Sequence, residues 1–350
     1  MSAPRDVEGT LVLSRSEVAA VLDADDCRTA IENAFRRHGS GEARPPGLLG
    51  YHVEGGGFHM KVASYAHGEG EYFVAKTNAN FPGNPVRRGL PTIQGVIQVF
   101  DARSGEVLAL LDSIEITILR TAAATAVATK YLARAASRTL TIVGCGTQGR
   151  AHWRALAAVR PFERVLLWDA DRLTAERMAS EVRGSATPGA LRVDLPDDLD
   201  EAVHASDVVV TCTPSARPLF SAEAVAPGSL VAGVGADSEL KWELDPRLLA
   251  RSKVVVDVLD QCAVIGDLHH ALDPGAMRRE DVYAELGEIV AGFKAGRSTD
   301  DETFVFDSTG MALQDAAAAC VVLERARSSG AGWRLRLGSA EHVPATKLAG

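Results

Sequence analysis

At 350 residues the chain is longer than one core usually fills, so two domains are expected. Its composition, 46% hydrophobic and 24% charged, excludes extended disorder, and a net charge of −9 without a basic block excludes nucleic acid as a partner. No apolar run has membrane-spanning length and no signal-peptide core is read, so a cytoplasmic protein with no membrane contact is expected. The five cysteines (Cys27, Cys145, Cys212, Cys262 and Cys320) are far apart and without metal-ligand spacing, and read as reduced thiols. The only histidine pair, His269-His270, lacks a clear third ligand, so no metal site is expected.

In chain order, residues 14–39 carry helical spacing, with Ser14 or Ser16 and then Asp25 as N-caps and Gly39 as the stop. From Arg44 to Asp112 the pattern changes to alternation and turns. Phe58–Tyr65, Tyr72–Asn78, Ile93–Phe100 and Glu106–Leu111 are predicted antiparallel strands, the last two joined by a hairpin turn over Asp101–Gly105. Lys76 stands near the tip of the second strand, ahead of a turn-rich loop that suits a substrate wall or, in the blander reading, a surface connection. An Ala-rich helix is predicted from Glu115 to Ala135. Arg120 lies in its apolar part, and either pairs structurally with Glu115 or Glu32 or holds an anion. A guanidinium takes a carboxylate bidentately, which favours a carboxylate-bearing substrate in the second case.

The segment Leu140–Arg150, LTIVGCGTQGR, is a β-prone run ending in a G-x-G-x-x-G turn with a helical pattern directly behind it. Gly144 turns the chain sharply, Gly146 lets backbone approach a pyrophosphate, and Gly149 lets the helix pack close to the sheet. A second apolar strand, Arg164–Trp168, ends in Asp169, an acceptor for a ribose 2′-hydroxyl. That acid favours NAD over NADP, while Arg172 close behind it offers NADP a phosphate partner. Strands and helices then alternate through 173–258, with a turn at Asp245–Ala250, implying a parallel sheet covered on both faces. Thr211–Pro214 and Asp237 follow strand ends, at the sheet edge where ligands bind. Asp237 is therefore a general acid/base candidate, or else a turn or N-cap aspartate. Phe304–Arg327 reads as strand, turn and a final helix that packs back on the N-terminal domain, and the arginines Arg325, Arg327, Arg334 and Arg336 as a solvated tail.

The expected fold is thus α/β: a Rossmann doubly wound parallel sheet, 123–308, inserted between an N-terminal α+β domain, 1–122, and a C-terminal segment, 309–350, whose helix completes it.

Five blocks in order, GLPTIQG (Gly89–Gly95), SIEITILRTAAATAVATKYLAR (Ser113–Arg134), VGCGTQG (Val143–Gly149), VGADSELKWEL (Val234–Leu244) and FDSTGMALQD (Phe306–Asp315), resemble the ornithine cyclodeaminase/μ-crystallin family. The resemblance implies that Arg44, Lys76 and Arg120 clamp a substrate α-carboxylate and that Asp237 is the acid/base beside the α-carbon, with Lys76 the other catalytic candidate. It implies that Thr92, Thr121, Thr147, Gln148, Asp169, Thr213, Val234 and Lys241 line the cofactor and that Ser308 sits at the pocket rim. It also implies a homodimer built through the N-terminal sheets. Where many relatives carry a Met-Pro pair, this chain has His59-Met60-Lys61-Val62. In a regular strand His59 and Lys61 share a face, either in the pocket, where they would bind a second carboxylate or a polar side chain, or toward solvent.

The activity implied is hydride transfer between NAD, or NADP, and the α-carbon of an amino or imino acid. The alternative is an ornithine or lysine cyclodeaminase, which uses the same clamp and acid with no net redox. A crystallin-like binder without catalysis is disfavoured by the joint presence of Lys76, Arg120 and Asp237.

Overall fold

Period-two alternation in the first third of the chain becomes pleated sheet, and the strand–turn–helix rhythm after it becomes a wound parallel sheet. The computed structural model describes residues 9–337, apart from 45, 186–188, 190 and 274, together with 346–347. The chain divides into two units: Met1–Ala34, Ala43–Arg120 and Met311–Gly350 form the first, and Phe35–Glu42 with Thr121–Gly310 the second.

The chain opens with β1 (Thr10–Leu13), α1 (Arg15–Val21) and α2 (Ala24–Gly39). Ser14 and Glu17 form a capping box at the start of α1, so two backbone donors are satisfied reciprocally. Next come β2 (Gly47–Val53), β3 (Gly56–His67), β4 (Gly70–Asn80), α3 (Asn84–Arg88), β5 (Ile93–Asp101), β6 (Val107–Asp112) and α4 (Ile114–Leu132). Strands β2 to β6 pair antiparallel in sequence order. Ala63, Tyr65, Val74, Ile97 and Val99 bury one face, while Phe58, Met60 and Phe73 remain exposed on the other.

The second unit runs β7 (Thr139–Val143), α5 (Thr147–Ala157), β8 (Arg164–Trp168), α6 (Arg172–Ser185), β9 (Arg192–Asp194), α7 (Leu199–His204), β10 (Val208–Thr211), β11 (Leu230–Gly233), α8 (Pro246–Ala250) and β12 (Lys253–Val256). It continues through α9 (Leu259–Ile265), α10 (Asp267–Leu272), β13 (Ala284–Glu285), α11 (Leu286–Val290) and β14 (Phe304–Asp307). The strand order is β13-β12-β14-β11-β10-β7-β8-β9, and every pairing is parallel. Val209, Val231, Val254, Val256 and Val305 lie in one buried apolar cluster, as expected of strands covered on both faces. The chain winds outward from β7 to β9 and then restarts at β10 on the other side of β7. That reversal is the topological switch, beside which ligands bind in such sheets.

Finally α12 (Ala312–Ser329), β15 (Trp333–Leu335) and β16 (Thr346–Lys347) return to the first unit, whose sheet order is β16-β15-β1-β6-β5-β4-β3-β2. The alanines of α12 let it pack closely on β3 and β4, and Gly330, at φ +72°, ends the helix in the left-handed conformation. No helix among the described residues is long and apolar enough to cross a membrane.

Several expected elements are corrected. The four predicted N-terminal strands belong to an eight-stranded sheet. Strand β2 gives no alternating signal because Leu48, Leu49 and Tyr51 are all exposed, and β1 and β15 are too short to show a period. Asp245–Ala250 is a helix start: the Asp245 carboxylate accepts from the Arg247 N–H and Pro246 occupies the first turn. Of the arginines expected in a solvated tail, Arg325, Arg327 and Arg336 are exposed, but Arg325 and Arg327 lie in α12, where Arg325 bonds Asp26, and Arg334 lies in β15.

Candidate functional site

The first unit gathers charge on the buried face of its sheet. Alternation puts Lys61 of β3 and Lys76 of β4 on one face, directly opposite each other in register. Helix α4 brings Arg120, and α12 brings Gln314 and Asp315. The Lys76 ammonium donates to Asp315 at 2.7 Å, the Arg120 Nε stands 3.2 Å from the same carboxylate, and Arg120 Nη1 donates to Gln314 Oε1 at 3.1 Å. All five side chains are buried, Lys61 being the most exposed at 8%.

Burial pulls the Lys76 ammonium down to about 7; Asp315 opposes that shift, and Arg120 and Lys61 reinforce it. Asp315 is held below the usual carboxylate range by Lys76, Arg120 and Lys61, against the desolvation of its site. Burial pushes the Cys27 thiol up to about 12, so it stays neutral within reach of these charges. Neither Gln314 Nε2 nor Arg120 Nε has a hydrogen-bond partner among the described residues, although both atoms are buried.

In the second unit the strand ends converge on one edge. Gly144 has φ +98°, and a Cβ there would stand 2.7 Å from the Cys212 carbonyl; a Cβ on Gly149 would stand 2.1 Å from that of Gly144. These positions therefore require glycine. Gly146 faces open space and is the N-cap of α5, a helix that no side chain caps. Thr147 and Gln148 follow in its first turn. At the end of β8 the Asp169 carboxylate is anchored by the Cys145 N–H at 2.8 Å and the Asp171 N–H at 2.9 Å. An open glycine cradle, free helix amides and a fixed acid one strand over fit a dinucleotide. Arg172, the residue that could have served a 2′-phosphate, pairs with Asp197 at 3.0 Å and Glu176 at 3.6 Å.

The loops after β10 and β11 are tied together by Glu243, which is wholly buried. Its carboxylate accepts from the Thr213 N–H at 2.6 Å, the Thr213 hydroxyl at 2.7 Å, the Thr211 hydroxyl at 2.8 Å and the Gly235 N–H at 2.7 Å. Asp267 accepts in turn from the Glu243 and Leu244 N–H groups at 2.7 and 2.9 Å. Strand β11 stops at Gly233 rather than Gly235 because Gly235 bonds Glu243 instead of a neighbouring strand. Val234 is buried beside this turn. Asp237 lies beyond it, 39% exposed at its side chain, and accepts from Lys241 at 2.6 Å. Ser308 is buried after β14 and donates to Asp257 at 3.4 Å, while the Thr309 hydroxyl and Gly310 N–H bond the same carboxylate at 3.0 and 2.5 Å.

The structure thus brings Lys61, Lys76 and Arg120 together in the first unit. It brings Gly144, Gly146, Thr147, Gln148, Gly149, Asp169, Thr213 and Val234 to one sheet edge in the second. Lys241 is engaged with Asp237. Thr92 precedes β5, where its carbonyl accepts from the Phe81 N–H, and Thr121 is buried one residue beyond Arg120.

Arg44 is not with the other cations. It is exposed and lines a shallow pocket with Ser64, Glu71, Phe73 and Phe100, on the sheet face opposite to Lys61 and Lys76. Nor does Arg120 pair with Glu115, which bonds Arg15. Its partner is Asp315, which the sequence reading left without a role, as it did Gln314, Glu243 and Asp257. The one available signal for Asp315 was an acid at the start of an otherwise apolar, Ala-rich helix. Among the described residues no group of three or more His, Cys, Asp or Glu could hold a metal, and His270 stacks on Trp242 with ring centroids 4.7 Å apart.

The family model described as "Ornithine cyclodeaminase/mu-crystallin family" matches residues 8–330. The chain is 36% identical over 327 residues to an alanine dehydrogenase of Archaeoglobus fulgidus, covering 93% of this chain and 98% of that protein. A solved archaeal alanine dehydrogenase dimer with bound NAD superposes with a TM-score of 0.88 at 36% identity, covering 94% of this chain and 99% of that one. The Thermococcus litoralis Δ1-pyrroline-2-carboxylate reductase, solved with NADH and L-proline, superposes with a TM-score of 0.86 at 30% identity, covering 93% and 100%.

Proposed function

The chain belongs to the ornithine cyclodeaminase/mu-crystallin family, and from that premise we propose that it is an NAD-dependent oxidoreductase acting at the nitrogen-bearing α-carbon of an amino or imino acid. The observation that carries this reading is the buried meeting of Lys76 and Arg120 on Asp315, a place where cations are held ready away from water.

In this reading the first unit is the substrate domain and the second the NAD domain. NAD, when bound, supplies or accepts the hydride. Arg120 and Lys76 take the substrate carboxylate, Arg120 through its planar fork and Lys76 as a point charge. In a dry, low-dielectric site, cations fixed beforehand orient the α-carbon without reorganising during the reaction. Asp237 moves the proton at the nitrogen, giving it as the imine becomes an amine and taking it in reverse. Lys241 holds the Asp237 carboxylate in place. Asp169 receives the ribose hydroxyl, and the amides at the start of α5 receive the pyrophosphate.

The outer face of the first sheet fits a second copy of the chain. Leu49 pairs across to Met60 and Tyr51 to Phe58, all exposed, with Phe73 exposed on the next strand. A homodimer through this face is part of the proposal.

The test is a panel of amino acids with NAD, and of 2-oxo acids with ammonium and NADH or NADPH, read by nicotinamide absorbance and ammonia together. Turnover with absorbance change, and a loss of about 100-fold or more in kcat/KM on Arg120→Met, supports the reading. Ammonia release from a diamino acid without absorbance change assigns a cyclodeaminase instead.

A further inference from the structure

Helix α10 lies against the segment that leads away from Asp237 and touches it twice from one face. Asp267 opens the helix and accepts from the Glu243 and Leu244 N–H groups. His270 comes three residues later, on the same face, and its Nε2 stands 3.1 Å from the Lys241 carbonyl. A carbonyl only accepts, so Nε2 carries the proton. Burial holds this imidazole below its ordinary range, which leaves the ring neutral near pH 7 with that single N–H.

The ring also stacks on Trp242, with centroids 4.7 Å apart and planes at 10°. Trp242 is tied elsewhere too: its backbone N–H donates to the Ser215 carbonyl at 2.8 Å, and its indole N–H to the Leu244 carbonyl at 2.6 Å. Lys241-Trp242 is thus gripped both by α10 and by the loop after β10. Ahead of this dipeptide the chain reaches into solvent at Glu239 and Leu240, the latter 81% exposed. It then turns back, the Lys241 N–H donating to the Ser238 carbonyl at 3.0 Å and the Lys241 ammonium to Asp237 at 2.6 Å. The side chains of that ion pair are 24% and 39% exposed, and a pair so open to water is weak by itself. Its geometry therefore depends on how firmly the Lys241 backbone is held.

We infer that His270 is a positioning residue for proton transfer at Asp237. Through the Lys241 carbonyl and the Trp242 indole it sets where the Lys241 ammonium stands, and so where the Asp237 carboxylate points. This rests on the reading of Asp237 as the acid/base and adds to it the element that holds that acid in place.

The test uses the full-length protein with NADH, ammonium and whichever of pyruvate, 2-oxobutyrate, oxaloacetate and 2-oxoglutarate it turns over fastest. His270→Ala should lower kcat roughly 10–100-fold, the scale of a lost outer partner, while KM and NADH affinity change less than about threefold. His270→Gln, which returns a side-chain N–H at the place of Nε2, should recover most of that loss, whereas His270→Phe, which returns only the ring, should recover little. In a Lys241→Met background His270→Ala should cost nothing further, because it acts through Lys241. Acetylation of Lys241, read by peptide mass spectrometry, reports the same contact without turnover and should quicken severalfold in His270→Ala. Losses that add in the double variant, or that fall equally on kcat, KM and NADH affinity, would overturn the inference; an inactive Asp237→Ala would then leave the Asp237 reading intact. Asp237→Ala with near-native kcat would overturn that reading and this inference with it. If no acid is turned over, the reductase reading falls, and an acetylation rate unchanged by His270→Ala would overturn the positioning of Lys241 as well.

Discussion

Lys76 of β4 and Asp315 of α12 meet at 2.7 Å although 239 residues separate them and neither side chain reaches solvent. The contact fastens the returning helix to the sheet at the point where Arg120 also arrives. Breaking a buried ion pair from one side strands the other charge, which costs about 3–5 kcal/mol. Asp315→Asn should therefore lower the unfolding free energy by that amount, seen as a lower urea midpoint at an unchanged slope. Added succinate should restore more stability to the variant than to the native protein, because it supplies the missing carboxylate. A midpoint unchanged by the substitution would remove Asp315 from this role.

Lys76, pulled down to about 7, changes charge in the physiological range. Below that value it is an ammonium and holds a carboxylate; above it the charge is lost. Carboxylate affinity should fall as pH rises from 6 to 9, and calorimetry with succinate across that range measures it. The linkage to folding has the opposite direction. Between about 7 and the ordinary lysine value of 10.5 the unfolded chain binds the extra proton, so this group's penalty is full below 7 and relaxes as pH rises. An affinity flat with pH would mean that Lys76 does not contact the ligand.

The contrast between the two units explains what was legible in the sequence. In the second, each element follows its predecessor locally: Val143, the glycine turn and α5 form one continuous signal, and Asp169 lies one strand on. The parallel sheet could be read because strands buried on both faces are apolar throughout. In the first unit the decisive relations are between distant segments. Asp315 carries no mark that it will sit beside Lys76, and the same holds in the second unit for Glu243, which gathers donors from two separate segments. Arg44 has its role by resemblance alone, and the structure places it exposed beside Ser64, Glu71 and Phe73, apart from Lys76 and Arg120. Strand β2 was hidden because its apolar residues do not alternate: Leu48 and Leu49 are consecutive and fall on opposite faces, in register with Lys61 and Met60.

His152 is a separate source of acid sensitivity. Its Nδ1 faces the Gln148 carbonyl at 2.8 Å and must donate, so Nε2 accepts from the Thr125 hydroxyl at 3.0 Å. Burial holds this neutral imidazole down to about 4, below the ordinary 6.5. As pH falls through that window the unfolded chain takes a proton that the folded one refuses. Stability should drop by about 3 kcal/mol between pH 6.5 and 4 from this group alone. His152→Gln should flatten that part of a urea-midpoint profile, and an equally steep profile in the variant would exclude His152 as its origin.

Asp267 and Asp307 act in the reverse direction. Both are wholly buried and their charges oppose each other, and burial with the neighbouring Glu243 charge raises Asp267 to about 7. A carboxyl raised in the fold contributes stability at low pH and loses it as pH climbs from the ordinary 3.8 toward 7. Asp307→Asn keeps an oxygen to accept the Leu268 N–H, bonded at 2.9 Å in the native protein, while removing one charge. The variant should melt higher than the native protein at pH 8 and show a smaller gain at pH 5. A variant equally or less stable at pH 8 would refute the like-charge account.

Glu243 should control cofactor binding without touching the cofactor. It has four donors on two carboxylate oxygens, two from Thr213, one from Thr211 and one from Gly235. Thr211 ends β10, and Thr213 and Gly235 lie in the loops after β10 and β11, the sheet edge that the proposal gives to the dinucleotide. Glutamine preserves size but turns one end into a donor, so at least one of the two donor pairs would face an N–H. The loops would then lose their common anchor while the strands behind them stay paired. Glu243→Gln should weaken NADH binding by roughly 10–100-fold, a loss comparable to removing an outer partner of a bound group. Fluorescence titration with NADH measures this. Its KM for the acid at saturating NADH should change far less than the NADH affinity, which separates positioning of the cofactor loops from general damage. Equal losses in both, together with a lower melting temperature, would reduce Glu243 to a structural residue.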